Sequence, residues 1–501
     1  MARCDRPNIL LVTTDSQRCD TIQCMGNPYA ISPNLDNLAA EGVMFTQAHS
    51  SSPVCMPTRC SLLTGLHTPL HGCIENGIKR RTDIPLFPDS LKEQGYHNIM
   101  VGKTHFGPVP DSFDVQLLIK GEKDNDSDDC YADHIRKHGY SRKSAHPNPI
   151  PEKLFIDSYL IDKTIEAIEG AGNNKSIPFF AFCSLLSPHG PLDPPGKWGN
   201  IYDEGLLPDI NYREGELVTH PLHLRRLIGT LDHANYQSDE SGVLGYLDVA
   251  RGATIERYSL EEINQFRRLY YGLASYCDAQ IGRLIHYLDR SGLRENTLVI
   301  FASDHGQQLF DHGFNDKHNY YDASWRIPLI MSMPGTLPGG EKRDFAIWND
   351  LTATILGAAG TESCSVQGFD LFNALKDGKD SPRRCAVGTL YQSAALATGR
   401  WKLEYYFEEG SGRLFDRKKD PLEQTDSFAN PEYREVRDEL LKALLTWRAD
   451  LCDIDYLRNN TGGGGPVAIR AARHTMSLRG TDAENRLNRT IEVIDSQYDY
   501  F

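Results

Sequence analysis

Four short runs of almost uninterrupted apolar residues, Ile9 to Thr14, Asn98 to Gly102, Phe179 to Leu186 and Thr297 to Ala302, constrain this 501-residue chain more than any other feature. Runs of strand length without polar alternation belong to strands covered on both faces, as in the parallel sheet of an α/β fold. Each run ends in groups able to do chemistry: Asp15, then Lys103-Thr104-His105, Ser187-Pro188-His189 and Ser303-Asp304-His305. In open α/β sheets that edge is where ligands bind. Helices are expected from Pro33 to Glu41 behind the cap Ser32, from roughly Glu152 to Gly170, and from Leu260 to Ser291, the longest. Val43 to Ala48 and Ile327 to Ser332 read as further strands. The alternation predicts an α/β fold built on a mostly parallel, doubly wound sheet with helices on both faces.

Ser52-Pro53-Val54-Cys55-Met56-Pro57-Thr58-Arg59 places a cysteine at the mouth of a helix. Proline is tolerated in a first helical turn, so Pro57 marks the start, and Gly65 the stop. Cys55 then meets unpaired backbone N–H groups that favour an anion, and Arg59, one turn on, lies on the same face. The plainer alternative is a buried structural cysteine beside a solvated arginine. The Cys-x-Pro-x-Arg spacing argues against it, because average residue usage gives that pattern by chance in about a few per cent of chains this long.

Lys and Arg number 53 against 68 Asp and Glu, a net charge of -15. That excess disfavours a nucleic-acid backbone or an anionic membrane as partner. An anionic substrate would need a local cationic pocket. No uncharged apolar run is long enough to span a bilayer. Met1 to Pro7 has no apolar core of a signal peptide, and the 12 cysteines lack the paired spacings of a zinc site. The expected location is therefore cytoplasmic, with the cysteines as thiols.

Asp15 and Asp304, two strand-end carboxylates with His305 beside them, suit a hard divalent cation close to Cys55. The cysteine motif resembles the sulfatase signature, including the trailing Leu63-Thr64-Gly65, with Thr58 where serine or alanine is commoner. The resemblance extends in order over most of the first 375 residues. Arg6-Pro7-Asn8-Ile9 to Asp15 and Ser303-Asp304-His305-Gly306 resemble the family's metal motifs. Gly102-Lys103-Thr104-His105, Pro188-His189-Gly190-Pro191, Lys317 and Leu414-Phe415-Asp416-Arg417 resemble further elements.

The resemblance implies that Cys55 is oxidised to formylglycine by a formylglycine-generating enzyme. It implies a divalent metal held by Asp15, Cys55, Asp304 and His305: calcium, with manganese or magnesium as alternatives. By the same resemblance Asp304 assists the first deprotonation and His105 the second, and His189 with Lys317 serves the leaving oxygen. Lys103 and Arg59 would offset sulfuryl charge. Ser16 departs from the pattern, standing where relatives have an acid or a glutamine, with Gln17 or water as the substitute ligand. The implied activity is hydrolysis of an aryl, alkyl or carbohydrate sulfate ester. A phosphonate monoester or phosphodiester hydrolase on the same scaffold is the alternative, and a non-catalytic binding protein a third reading that the intact residue set opposes.

Three regions are expected: a catalytic α/β domain over 1–375, a small antiparallel sheet with a packed helix over 376–460, and a tail over 461–501. Residues 111–151 and 192–260 read as insertions that set specificity. The tail, hinged at Gly462 to Gly465, shows no pattern able to form its own core. It is expected to pack on a neighbouring subunit of a homo-oligomer.

Overall fold

A computed structural model describes residues 6–119, 129–142, 146–171, 177–203, 205, 207–228, 253–361, 366–451 and 482–498. The larger sheet has eight strands: β1 (Asn8–Asp15), β2 (Val43–His49), β3 (His97–Lys103), β4 (Val115–Ile119), β5 (Phe179–Pro188), β6 (Thr297–Ser303), β7 (Leu329–Ser332) and β8 (Glu341–Ile347). Their spatial order is β4-β3-β5-β1-β6-β7-β2-β8. β7 runs antiparallel to β6 and β2, and the remaining pairs are parallel.

The continuous apolar runs arise because helices cover both faces. Leu10, Val12, Ala181, Cys183, Val299 and Phe301 pack into one core with the Ile156–Ala171 and Leu260–Arg290 helices. The alternate residues Ile9, Leu11, Phe180, Phe182, Leu298 and Ile300 enter a second core with the Cys55–Thr64 and Trp348–Ala358 helices. The expected 260–291 helix is present over Leu260–Arg290, begun by a capping box between Ser259 and Glu262.

A second sheet, β9 (Ala386–Leu390), β10 (Ser393–Ala397), β11 (Trp401–Tyr406) and β12 (Ser411–Asp416), is an antiparallel meander. One face meets the larger domain: Ala386, Leu390, Ala395 and Ala397 pack with Val54, Tyr320 and Trp325. The other is covered by the Arg434–Asp450 helix.

Two expectations change. Within 111–151 lie an edge strand, β4, and the helix Cys130–Lys137, capped by Asp129. The tail expectation is corrected for residues 482–498, which form a helix on their own chain. Its Ala483, Leu487, Ile491 and Ile494 are buried with Leu440, Leu444 and Trp447 of the preceding helix. These residues recur at helical spacing, so a single apolar face finds its cover within the subdomain. The Gly462 to Gly465 hinge lies outside the described residues. Among those residues no helix is long and apolar enough to cross a membrane.

Candidate active site

The carboxyl ends of β3, β5, β1 and β6 lie side by side, and the sequence motifs converge there. Asp15 closes β1 opposite Pro188 of β5, and Asp304 follows β6. Cys55 opens its helix after the extended residue Val54. Lys103 ends β3 just after Gly102, whose φ is +104° and where an added Cβ would meet the Ser184 carbonyl oxygen at 1.9 Å. Only glycine lets the two strands close at that point.

Arg59, 1% exposed, is the organiser. It donates to Asp304 Oδ2 at 2.8 Å, Asp15 Oδ2 at 3.1 Å, Ser184 Oγ at 2.8 Å and the Lys103 carbonyl at 3.2 Å. Its fork is thereby committed to holding the two carboxylates, rather than to the anion that helix periodicity alone would have it face. Ser184 has no motif around it, and sequence reasoning missed it. Lys103 Nζ lies 2.7 Å from Asp15 Oδ2.

Cys55 Sγ lies 3.0 Å from His305 Nε2 and accepts from Lys317 Nζ at 3.1 Å, with Asp15 Oδ1 at 3.8 Å. His305 Nδ1 faces the Gly306 carbonyl at 2.8 Å, which directs Nε2 at residue 55. Burial and Asp15 would raise the Cys55 thiol, but Lys317, His305 and Lys103 outweigh them and hold it well below the ordinary thiol range. Asp15 likewise resists the upward push of burial, because Lys103, His189, Arg59 and Lys317 favour its charged form. Arg59, Lys103 and Lys317 thus face Asp15, Asp304 and the Cys55 sulfur, and an uncharged side chain at position 55 would leave the cations in excess for an incoming anion.

His105 and His189 are half-buried and follow the ends of β3 and β5, and His189 acts electrostatically on Asp15. His105 has φ +48°, and its Nδ1 is buried without a hydrogen-bond partner. His189 Nδ1 lies 2.8 Å from the Gly190 carbonyl. Asn76 accepts from the Met56 N–H at 3.0 Å and so completes the first turn of the Cys55 helix.

A doubly wound sheet with an activated residue 55, paired carboxylates and converging cations at its carboxyl edge defines a hydrolase of anionic esters. A family model described as Sulfatase matches residues 7–361, and one described as N-sulphoglucosamine sulphohydrolase, C-terminal, matches 310–450. N-acetylglucosamine-6-O-sulfatase of Bacteroides thetaiotaomicron is 26% identical, over 88% of this chain and 86% of its own. Among solved structures, the phosphonate monoester hydrolase of Agrobacterium radiobacter has a TM-score of 0.78 at 23% identity, covering 89% of this chain and 96% of that one. A protein solved with its substrate D-glucosamine-2-N,6-O-disulfate has a TM-score of 0.70 at 22% identity, covering 87% and 96%. The chain belongs to the sulfatase family and is a sulfuric ester hydrolase.

The family implies a divalent cation, and the donors fit one. One ligand atom each from Asp15, Cys55, Asp304 and His305 lie within 4.8 Å of one another, all buried. Ser16 faces the cluster, its Oγ donating to Asp15 Oδ1 at 3.0 Å. Gln17 is turned to Thr21 through Nε2, while its buried Oε1 has no hydrogen-bond partner.

Proposed function

We propose that the protein hydrolyses a saccharide O-sulfate, with Cys55 converted to formylglycine and a divalent cation held by Asp15, Asp304, His305 and residue 55. The observation that carries this reading is the position of residue 55, bracketed by His305 Nε2 at 3.0 Å and Lys317 Nζ at 3.1 Å beside Asp15. The saccharide follows from the names of the matched C-terminal model and of the Bacteroides relative. The cation, calcium or manganese, would supply Lewis-acid polarisation of the sulfuryl oxygens. A hydrated aldehyde at residue 55 supplies one hydroxyl for attack and a second whose deprotonation expels sulfate.

The side chains then divide the work. Arg59 fixes Asp15 and Asp304 relative to each other, and Lys103 and Lys317 offset negative charge on the sulfuryl group. We assign to His105, whose Nδ1 has no hydrogen-bond partner, the second hydroxyl's proton, and to His189 the protonation of the leaving oxygen. Peptide mass spectrometry of residue 55 with assays on matched sulfate and phosphonate esters tests this. The expected result is an aldehyde at position 55 and preferential sulfate release. Full activity with an intact thiol refutes the nucleophile, and preferential phosphonate turnover refutes the substrate class.

A further inference from the structure

Tyr391 sits at the tip of the β9–β10 hairpin with φ +49°, a left-handed conformation unfavourable for a tyrosine. Both flanks of that tip are anchored to the catalytic segments. Thr389 N–H donates to the Ser51 carbonyl at 3.1 Å, four residues before Cys55, and Ser393 Oγ lies 3.1 Å from Tyr320 Oη, three residues after Lys317. The smaller sheet therefore delivers one half-buried aromatic ring to the rim of the larger domain's site.

The partners of that ring lie on the same rim. His318 follows Lys317, has φ +71°, and is tied by its N–H to the Pro53 carbonyl at 3.3 Å. Its ring is parallel to Tyr391 within 3° at a centroid distance of 6.1 Å. His223, whose Nε2 meets the His318 carbonyl at 3.0 Å, lies edge-on to Tyr391 at 6.1 Å. Beside these rings, His318 Nδ1 lies 3.6 Å from Asp316 Oδ1, and the other carboxylate oxygen, Asp316 Oδ2, is buried without a hydrogen-bond partner, with Asp316 only 7% exposed. A flat aromatic wall beside an unspent carboxylate acceptor matches a sugar ring, which offers an apolar C–H face and a rim of hydroxyls.

We propose that Tyr391, framed by His318 and His223, is the platform on which the pyranose ring of the leaving group stacks, with a ring hydroxyl directed to Asp316. This rests on the saccharide reading above and adds which element selects the sugar. The C-terminal sheet acts as the specificity element, while the reacting groups come from the larger domain. The cost of ordering the hairpin tip is met in the folded protein, so little is added on binding.

The test measures KM and kcat of the wild type, Tyr391→Ala, Tyr391→Phe and Tyr391→Gly on a panel of pyranose monosulfates and on a ring-free alkyl sulfate. Tyr391→Gly relieves the left-handed backbone yet removes the ring, so it separates strain from stacking. Expected for both Ala and Gly is a roughly tenfold rise in KM for the pyranose sulfates with kcat little changed. Phe should restore KM, and the alkyl sulfate should be unaffected. Unchanged pyranose KM in all variants overturns the platform and leaves the saccharide reading standing. An equal loss on the alkyl sulfate overturns it as well, since Tyr391 would then support the site generally. A wild type that turns over alkyl sulfate and no pyranose sulfate overturns the saccharide reading and the platform with it.

Discussion

Two of the buried ionic clusters among the described residues, one at the sheet edge and one at the junction of the C-terminal elements, use their charges differently. At the sheet edge, Arg59, Lys103 and Lys317 crowd Asp15, Asp304 and residue 55, with more cations than carboxylates and buried polar atoms left over. At the junction of the C-terminal elements, Arg383 takes Asp350 at 2.5 and 2.8 Å and Glu484 at 2.6 Å. Glu484 also accepts from Trp447 at 2.8 Å and lies 2.9 Å from His67 Nε2, while Asp350 receives the backbone N–H groups of Ile347 and Phe369. Every oxygen of the second cluster is used. The oxygens of Asp15 and Asp304 are bonded as well, so the difference lies in what surrounds the carboxylates: the second cluster sets one arginine between two acids, whereas at the sheet edge two lysines and His305 converge with the acids on one reactive side chain, Cys55.

The largest separation between the clusters should appear in Cys55→Ala. Loss of the nucleophile is expected to lower turnover by at least about a thousandfold while the thermal midpoint stays level or rises, because functional clusters are held against stability. A large fall in midpoint would show that residue 55 is structural. Chelation comes next. Dialysis against a chelator should remove turnover, and calcium or manganese should restore it, with elemental analysis of active protein giving about one ion per chain. Full activity without a stoichiometric divalent ion would end the metal reading.

The difference between the clusters also explains what was legible in the sequence. Asp15, Lys103, Asp304 and His305 are each attached to a run buried on both faces, so a local pattern announces the strand and its end announces the ligand. Arg383 and Glu484 are brought together from 101 residues apart, and neither sits in a motif. The edge strands escaped for a related reason. β4 and β8 carry partly exposed residues along their length, so they lack the continuous apolar signature. The 482–498 helix does carry a helical stripe, but its partners Leu440, Leu444 and Trp447 are distant, and a stripe does not say which surface covers it. Arg59 was visible as a charge near Cys55. Its four acceptors come from β1, the residue after β6, β3 and β5, which no single spacing encodes.

Arginine replacement sharpens the comparison. Arg383→Met leaves Asp350 and Glu484 buried without their guanidinium, an expected loss of about 3–5 kcal/mol in denaturant unfolding. Turnover per folded molecule should be unchanged. Arg59→Met strands Asp15 and Asp304 in the same way, with a similar stability loss, but should also remove activity. If Arg383→Met lowered kcat without affecting unfolding, the division of the two clusters into structural and catalytic would be wrong.

The smallest expected effect is a pH signature of Glu484. Burial alone would raise its pKa from 4.5, but Arg383 and His67 outweigh burial and bring it down to about 2. A carboxyl lowered by folding stabilises the native state fully above its unfolded value, and that contribution drains away as pH falls toward the folded value. The window therefore runs from about pH 5 down to about pH 2, and the stake is on the order of 3 kcal/mol. Glu484→Gln removes the titration while keeping the side chain's shape. Urea midpoints of wild type and variant should differ most near pH 7 and converge as pH falls through that window. Other carboxylates titrate in both proteins and cancel in the difference where they are distant from residue 484. A gap that stayed constant from pH 7 to pH 3 would mean that Glu484 contributes shape and hydrogen bonds but no charge. The second cluster would then be held by Arg383 and Asp350 alone.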